Sequence, residues 1–214
     1  MNEPLPLILL SEEFEKMPGI GKRSAKRLAD YIVSVPDNAV NTFAEAMFSA
    51  RRSMCLCKVC QNWCEKTEEL SDYENYGLTG ETLCSICSDS GRDKTVICVV
   101  ERPRDVSAFE RTETYGGIYH VLHGLISPLD GVSADEIKIK ELLMRIRETE
   151  VTEVILGLSG SAGGEATAMY LAGVLAPLIP KITRIAFGLS VGGTLESSDD
   201  FTLSKALENR VVFV

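Results

Sequence analysis

Cysteine spacing is the clearest chemical signal in this sequence. Cys57 and Cys60 are separated by two residues, and Cys84 and Cys87 repeat the same gap. A two-residue gap lets both thiolates of a pair face one metal ion, and two pairs complete a tetrahedral Zn²⁺ site. Because cysteine fills all four positions, no coordination site stays open for a substrate. The spacing therefore predicts a structural zinc ion rather than a catalytic one.

Three other cysteines leave part of this assignment open. Cys55 and Cys64 flank the first pair, and either could displace Cys57 or Cys60 as a ligand. Cys98 lies in an apolar run and is most simply a small hydrophobic residue. The alternative to a metal site is a set of buried or free thiols, but two pairs with this spacing are a specific metal signal.

Composition limits the classes of protein that these cysteines can belong to. The chain has 214 residues, 45% of them hydrophobic, and a net charge of −9. We expect a packed, cytoplasmic protein without a signal peptide or a membrane span, because no stretch approaches the ~20 apolar residues that a span needs. A reducing compartment favours metal ligands over disulfides. The acidic total argues against a protein that coats nucleic acid without specificity.

A basic cluster beside a glycine turn contrasts with that acidic total. Residues 17–25 read Met-Pro-Gly-Ile-Gly-Lys-Arg-Ser-Ala, and apolar residues at helical spacing lie on both sides. This pattern predicts two helices joined by a tight hairpin. Glycines let backbone N–H groups approach a DNA phosphate at the positive end of the second helix, a contact that positions DNA without reading its sequence. The candidate DNA-binding residues are Gly19, Gly21, Lys22, Arg23, Lys26 and Arg27.

The hairpin has two other interpretations. It could be a plain structural turn between packed helices whose basic side chains are solvated, and some hairpins of this kind serve as protein interfaces. The clustering of four basic residues next to the turn favours DNA over both alternatives.

The second half of the chain predicts a mainly parallel α/β sheet. Apolar strands at residues 95–100, 119–122, 153–158 and 182–187 alternate with helices, one of them expected to run without a break over residues 133–148. Strands that alternate with helices imply right-handed crossovers and parallel pairing.

Carboxylates follow two of these strands. Glu101 and Asp105 come after the first strand and Glu165 after the third, at the sheet edge where open α/β folds place their sites. Together they could bind Mg²⁺. The alternative, which the sequence favours, is that Glu165 stabilises its helix N-terminus while Glu101 is a solvated loop residue. No P-loop sequence is present, which argues against a P-loop ATPase.

Taken in order, these motifs resemble the RecR family of bacterial recombination mediators. Further segments that match the family are residues 97–101, 119–124, 126–131, 152–156, 164–168, 184–186, 191–193 and 202–207. The resemblance covers nearly the whole chain. It implies a helix-hairpin-helix region at 1–53, a four-cysteine zinc finger with an acidic insertion at 54–92, a Toprim domain at 93–190 and a C-terminal oligomerisation segment at 191–214.

The resemblance also implies a function. RecR-like proteins are not known as nucleases; they form ring-shaped homotetramers and act with RecO and RecF to help load RecA onto single-stranded DNA covered by its binding protein. The expectation is a cytoplasmic DNA-repair mediator, associated with the nucleoid during repair, that binds single-stranded or gapped duplex DNA and whose Toprim domain is non-catalytic. The rivals are a Mg²⁺-dependent Toprim enzyme using Glu101, Asp105 and Glu165, and an adaptor that binds only protein.

Two positions and the length of one segment depart from the family pattern. Gly163 stands where the family usually has a glutamate, which weakens an acidic metal cluster further. Phe187 stands where the family has a histidine after Arg-Ile-Ala. The span between the cysteine pairs is longer than the family norm and is filled by the acidic stretch 65–81. We expect an exposed loop there rather than a partner surface, because lengthening a surface loop costs little free energy.

Overall fold

The chain forms two compact units, residues 1–53 and 54–214. The structure is a computed structural model, and it describes residues 3–66, 82–189 and 192–212. Most of the acidic insertion, residues 67–81, lies outside the described residues. Among the described residues, no helix has the length and apolar character that crossing a membrane requires.

Three helices make up the first unit. They are α1 (Leu5–Glu15), α2 (Lys22–Ser34) and α3 (Asp37–Ser53). Phe14 of α1 packs on Ala25 and Ala29 of α2, and both alanines are fully buried. Small side chains let the two helices approach closely, and Leu10 and Ile32 extend the same apolar contact. The helical spacing seen in the sequence is thereby confirmed for α1 and α2.

The second unit combines a small hairpin with a parallel sheet. Its elements are β1 (Met54–Leu56), β2 (Trp63–Glu65), α4 (Ser85–Ser88), β3 (Asp93–Val100), α5 (Pro103–Glu110), β4 (Gly117–Val121), α6 (Ile139–Glu148), β5 (Glu153–Gly157), α7 (Ala162–Leu175), β6 (Lys181–Arg184) and α8 (Asp200–Glu208). Strands β1 and β2 are antiparallel, whereas the larger sheet has the order β4-β3-β5-β6 with parallel neighbours throughout. The predicted α/β class with a parallel sheet is confirmed.

The apolar run of β3 is buried on both faces of the sheet. Ile97 and Val99 face a large core that includes Leu142 of α6 and Leu171 of α7. The alternate residues, such as Cys98, face a second core with Val106 of α5 and Tyr119 of β4. A central strand covered by helices on both faces needs apolar residues at every position, which explains the unbroken run in the sequence.

The helix predicted over residues 133–148 is wrong in its first part. A short 3₁₀ turn covers Ala134–Glu136, and α6 begins only at Ile139. Lys138 separates the two, because its N–H donates to Leu122 O at 2.9 Å and its carbonyl accepts from His120 Nε2 at 2.7 Å. These bonds to the sheet replace helical ones. The β1–β2 hairpin and α8 were not predicted from the sequence either.

The outer edge of β4 is covered by partners that are not strands. Val121 N–H donates to Cys60 O at 2.9 Å. Arg145 Nη1 donates to Tyr119 O at 2.6 Å, and Arg92 Nη1 donates to Gly117 O at 3.3 Å. Alternate residues of a strand point their backbone groups to the same side, so these three bonds cover one edge. Every residue of β4 is accordingly buried, although β4 is the last strand of its sheet.

Candidate metal centre and nucleic-acid interface

Two tight turns bring the four paired cysteines together. Cys57 follows β1. Its N–H donates to Asn62 O at 2.7 Å, and its C=O accepts from Gln61 N–H at 3.0 Å, so the chain closes a knuckle around Cys60. Cys84 directly precedes α4, and Cys87 lies within that helix. Lys58 N–H donates to Thr82 O at 3.1 Å and holds the two turns side by side.

The cysteine sulfurs are arranged as a metal site requires. The Sγ atoms of Cys57, Cys60, Cys84 and Cys87 all lie within 4.8 Å of one another, and all four residues are buried. Cys60 Sγ and Cys84 Sγ are 3.5 Å apart. Zn–S bonds of about 2.3 Å in a tetrahedron place sulfurs roughly 3.8 Å apart, so one Zn²⁺ fits this cluster with little movement.

The four clustered thiols shift one another's pKa values. Hydrogen bonding from Cys60, Cys84 and Cys87 lowers the pKa of Cys57. Contact with Cys57 raises the pKa of Cys84, but contacts with Cys60 and Cys87 outweigh it and lower that pKa to about 7. The pKa of Cys60 is raised, first by its contact with Cys57 and further by burial. Four crowded sulfurs cannot all carry negative charge unaided, so a divalent cation that binds them must displace protons.

Cys55 and Cys64 form a pair of their own. They are opposite each other in the β1–β2 ladder, and their Sγ atoms are 3.4 Å apart. Burial raises the pKa of Cys64 to about 12. The described four-sulfur cluster contains neither residue. Cys98 is buried in β3 away from both groups, and burial raises its pKa to about 12.

The glycine turn between α1 and α2 presents an open helix N-terminus. Gly19 has a φ of +81°, a left-handed conformation that glycine adopts without strain. Ile20 N–H donates to Met17 O at 3.1 Å, and Gly21 directly precedes α2. A Cβ atom at either glycine would meet nothing within 4 Å, so the backbone at this turn can be approached closely. No acidic residue lies in the first turn of α2.

The four basic side chains near this turn differ in whether they are paired with a carboxylate. Lys22, Arg23 and Arg27 are exposed. Lys26 is also exposed, but its Nζ lies 2.9 Å from Glu3 Oε1. An exposed ion pair of this kind contributes little free energy and exchanges readily with a phosphate. The turn therefore carries three exposed cations and a fourth that is paired with a carboxylate.

The three carboxylates of the sheet edge are engaged separately. Glu101 Oε1 accepts from Arg102 Nε at 3.0 Å, and its side chain is only 18% exposed, so it is not a solvated loop residue. Asp105 Oδ2 accepts from Arg102 N–H at 2.7 Å at the start of α5. In the described part of the chain, the four cysteines are the only cluster of metal-binding side chains, and these carboxylates form none.

Glu165 forms a two-pronged ion pair with Arg184. Its oxygens accept from Nη1 at 2.7 Å and from Nη2 at 2.8 Å, and this contact lowers the pKa of Glu165. The Arg184 guanidinium also lies over the Phe187 ring, 4.6 Å from its centroid. Phe187 therefore has a defined contact at the position where the resemblance leads one to expect histidine.

Comparisons with known proteins cover almost the entire chain. The family model of the Toprim domain matches residues 95–186. The model of the RecR helix-hairpin-helix matches residues 9–51, and that of the RecR C-terminal region matches residues 188–211. The fold and these matches together define a Toprim-containing protein with a helix-hairpin-helix.

Proteins that match this chain over nearly their whole length identify the family within that class. The chain is 46% identical over 211 residues to "Recombination protein RecR" of Lactococcus lactis subsp. lactis (strain IL1403), an overlap of 99% of both chains. It is 45% identical over 210 residues to the protein of the same name from Streptococcus sanguinis (strain SK36), an overlap of 98% of both. The chain belongs to the RecR family of recombination proteins.

Proposed function

We propose that this protein is a recombination mediator in DNA repair that holds DNA through the turn between α1 and α2. The exposed α2 N-terminus carries the proposal, since Lys22, Arg23 and Arg27 are exposed and the first turn of α2 contains no acidic residue. The helix dipole and the cations together favour a phosphate at this position. Gly19, Gly21 and Lys26 complete the proposed contact surface.

The same proposal includes partners and an assembly. The protein acts with RecO and RecF to help load RecA onto single-stranded DNA that is covered by its binding protein. It works as a homotetrameric ring in the cytoplasm, associated with the nucleoid during repair. Family membership supports this role. A ring retains DNA by topology, so a small basic surface on a chain of net charge −9 is sufficient.

Zinc has a structural role in this proposal. Cys57, Cys60, Cys84 and Cys87 hold one Zn²⁺, because four buried thiolates at these distances leave no position open for a reacting group. The Toprim sheet is non-catalytic and binds no Mg²⁺ in this proposal. Support comes from Glu101 and Glu165, which are neutralised by Arg102 and Arg184 rather than directed at a common point.

A charge-reversal experiment tests DNA binding. Lys22→Glu combined with Arg23→Glu is expected to weaken binding of single-stranded and gapped DNA by about tenfold or more in a gel-shift assay, because repulsion replaces attraction at the helix N-terminus. Lys140→Glu with Arg147→Glu makes the same change of charge on exposed positions of α6 and serves as the control.

The outcome separates a local contact from a general charge effect. Equal loss of binding in both double variants, or no loss in the first, would refute the hairpin as the DNA contact. Solution mass and DNA affinity measured with and without RecO test the assembly. A chain that stays monomeric and ignores RecO contradicts the mediator role.

A further inference from the structure

A groove in the second unit combines an exposed aromatic ring with two arginines. Asn62 and Trp63 of the β1–β2 hairpin form one wall, and the start of α5 forms the other with Arg102 and Arg104. The groove encloses about 480 Å³ and is also lined by Pro103 and Ser107. Its volume is in the range of sites that bind small ligands or a single unit of a polymer. Nothing assigned above uses it.

Trp63 is held in place rather than left loose. Its ring meets the His123 ring at 76°, with centroids 5.8 Å apart. His123 Nε2 in turn donates to the carbonyl of Gln61 at 2.6 Å. Gln61 and His123 both have positive φ values, +62° and +60°, which are uncommon outside glycine. These contacts keep Trp63 in the groove wall while 40% of its surface remains exposed.

The groove carries positive charge on the wall opposite the tryptophan. Arg104 is exposed and forms no ion pair within the described residues. The side chain of Arg102 is 54% exposed, and Glu101 pairs with only its Nε at 3.0 Å. The unpaired guanidinium of Arg104 and the partly neutralised guanidinium of Arg102 therefore line a groove that contains no acidic residue.

We propose that this groove binds one unpaired nucleotide of single-stranded DNA, with the base stacked on Trp63 and its phosphate held by Arg102 and Arg104. Aromatic rings accept any base by stacking, and guanidinium groups neutralise the backbone beside it. The Asn62 amide can bond the edge of a base without fixing its identity. This inference rests on the DNA-binding function proposed above and adds a contact that recognises an unpaired strand.

The chain carries its own probe for this site, because Trp63 is its only tryptophan. Titration of the full-length, metal-loaded protein with an oligothymidylate of about eight nucleotides is expected to quench its fluorescence saturably. Arg104→Glu should weaken that binding about tenfold or more, whereas Arg147→Glu, the same change at an exposed position outside the groove, should not. A strand of abasic sites should quench far less, because it offers phosphates without bases.

Trp63 variants give a second readout that does not need the indole. With a dye-labelled oligothymidylate, anisotropy should show about tenfold weaker binding for Trp63→Ala and near-complete rescue for Trp63→Phe, which keeps a stacking ring. Absence of quenching at saturation, or equal effects of Arg104→Glu and Arg147→Glu, overturns the proposal. Quenching by a glutamate-rich peptide but not by the oligonucleotide overturns it too, and identifies an acidic protein segment instead.

The hairpin variants separate this inference from the function on which it rests. Lys22→Glu with Arg23→Glu should leave the quenching by a short oligonucleotide intact if the groove binds independently. Quenching lost in that variant but kept in Arg104→Glu refutes the groove and leaves the hairpin contact standing. If the gel-shift assay refutes the hairpin as a DNA contact but the oligonucleotide still quenches Trp63, the groove is supported and the hairpin proposal is not.

Discussion

His120 shows how one buried side chain can make stability depend on pH. It is completely buried in β4, its Nε2 donates to Lys138 O, and its Nδ1 has no hydrogen-bond partner in the described structure. Burial lowers the pKa of His120 from 6.5 to about 4. Between these two pKa values, His120 is therefore neutral in the folded protein and protonated in the unfolded chain.

The sign of the effect follows from linkage. Between about pH 6.5 and pH 4 the unfolded state binds more protons at this position, so stability present at neutral pH is lost on acidification. We expect His120 to account for about 2 kcal/mol of loss between about pH 7 and pH 5. Urea unfolding of wild type and His120→Gln at both values measures it. Metal-site protonation affects both proteins, so identical pH slopes would contradict the assignment.

Local spacing of residues explains why the metal ligands and the hairpin could be predicted from the sequence. The cysteine pairs and the glycine turn are local patterns, in which spacing of a few residues along the chain already determines geometry. The groove was missed because Trp63 and Arg104 are distant in sequence and meet only through the fold. The sole signal available was an isolated tryptophan within a cysteine-rich, polar segment. The Lys26–Glu3 pair was missed for the same reason.

At the scale of elements, the first turn of α7 requires a glycine, Gly164, because its backbone packs against the loop that follows β5. A Cβ atom at Gly164 would overlap the carbonyl oxygen of Ser159, and Gly164 is buried. Gly173 in the same helix is exposed, and a Cβ atom there would meet nothing within 4 Å. The two glycines therefore differ in environment while sharing a helix.

These glycines predict opposite effects of one substitution. Gly164→Ala should destabilise the protein by on the order of 2 kcal/mol or more, since backbone must move to relieve the overlap. Gly173→Ala should stabilise it by roughly 0.5–1 kcal/mol, since alanine loses less conformational entropy in a helix. Thermal unfolding midpoints of both variants test this. A harmless Gly164→Ala would show that the loop from β5 to α7 relaxes freely.

Element boundaries reveal where local sequence reasoning ends. The periodicity of residues 133–148 suits one helix, yet Lys138 bonds His120 in β4 and Leu122 directly after it, and these bonds interrupt the helix. Strand β3 was recognisable because burial on both faces demands continuous apolar residues. The short β1–β2 hairpin has no such signature, since three residues per strand are too few to show a periodic pattern.

On the scale of the whole molecule, the metal site should support more than its own loop. If the cluster holds zinc as proposed, Cys57→Ala is expected to bind none and to lose several kcal/mol of stability, because metal binding and folding are coupled. Cys64→Ala is the matched control: it should keep one zinc per chain and lose about 1 kcal/mol from the small cavity. Metal analysis together with thermal unfolding distinguishes them. Zinc loss in Cys64→Ala, or its retention in Cys57→Ala, would reverse the ligand assignment.

The covered edge of β4 gives the cysteine cluster a further consequence. Strands at the end of a sheet offer unpaired backbone groups on which a second chain can add, and this is a route to aggregation. Here Cys60 O occupies the N–H of Val121, while Arg92 and Arg145 occupy the neighbouring carbonyls. We expect a chain without its metal to lose the contact from Cys60 and so to expose part of β4, in which every residue is buried. A bound metal ion would therefore oppose self-association through this edge, and metal-depleted protein should precipitate rather than remain dispersed and inactive.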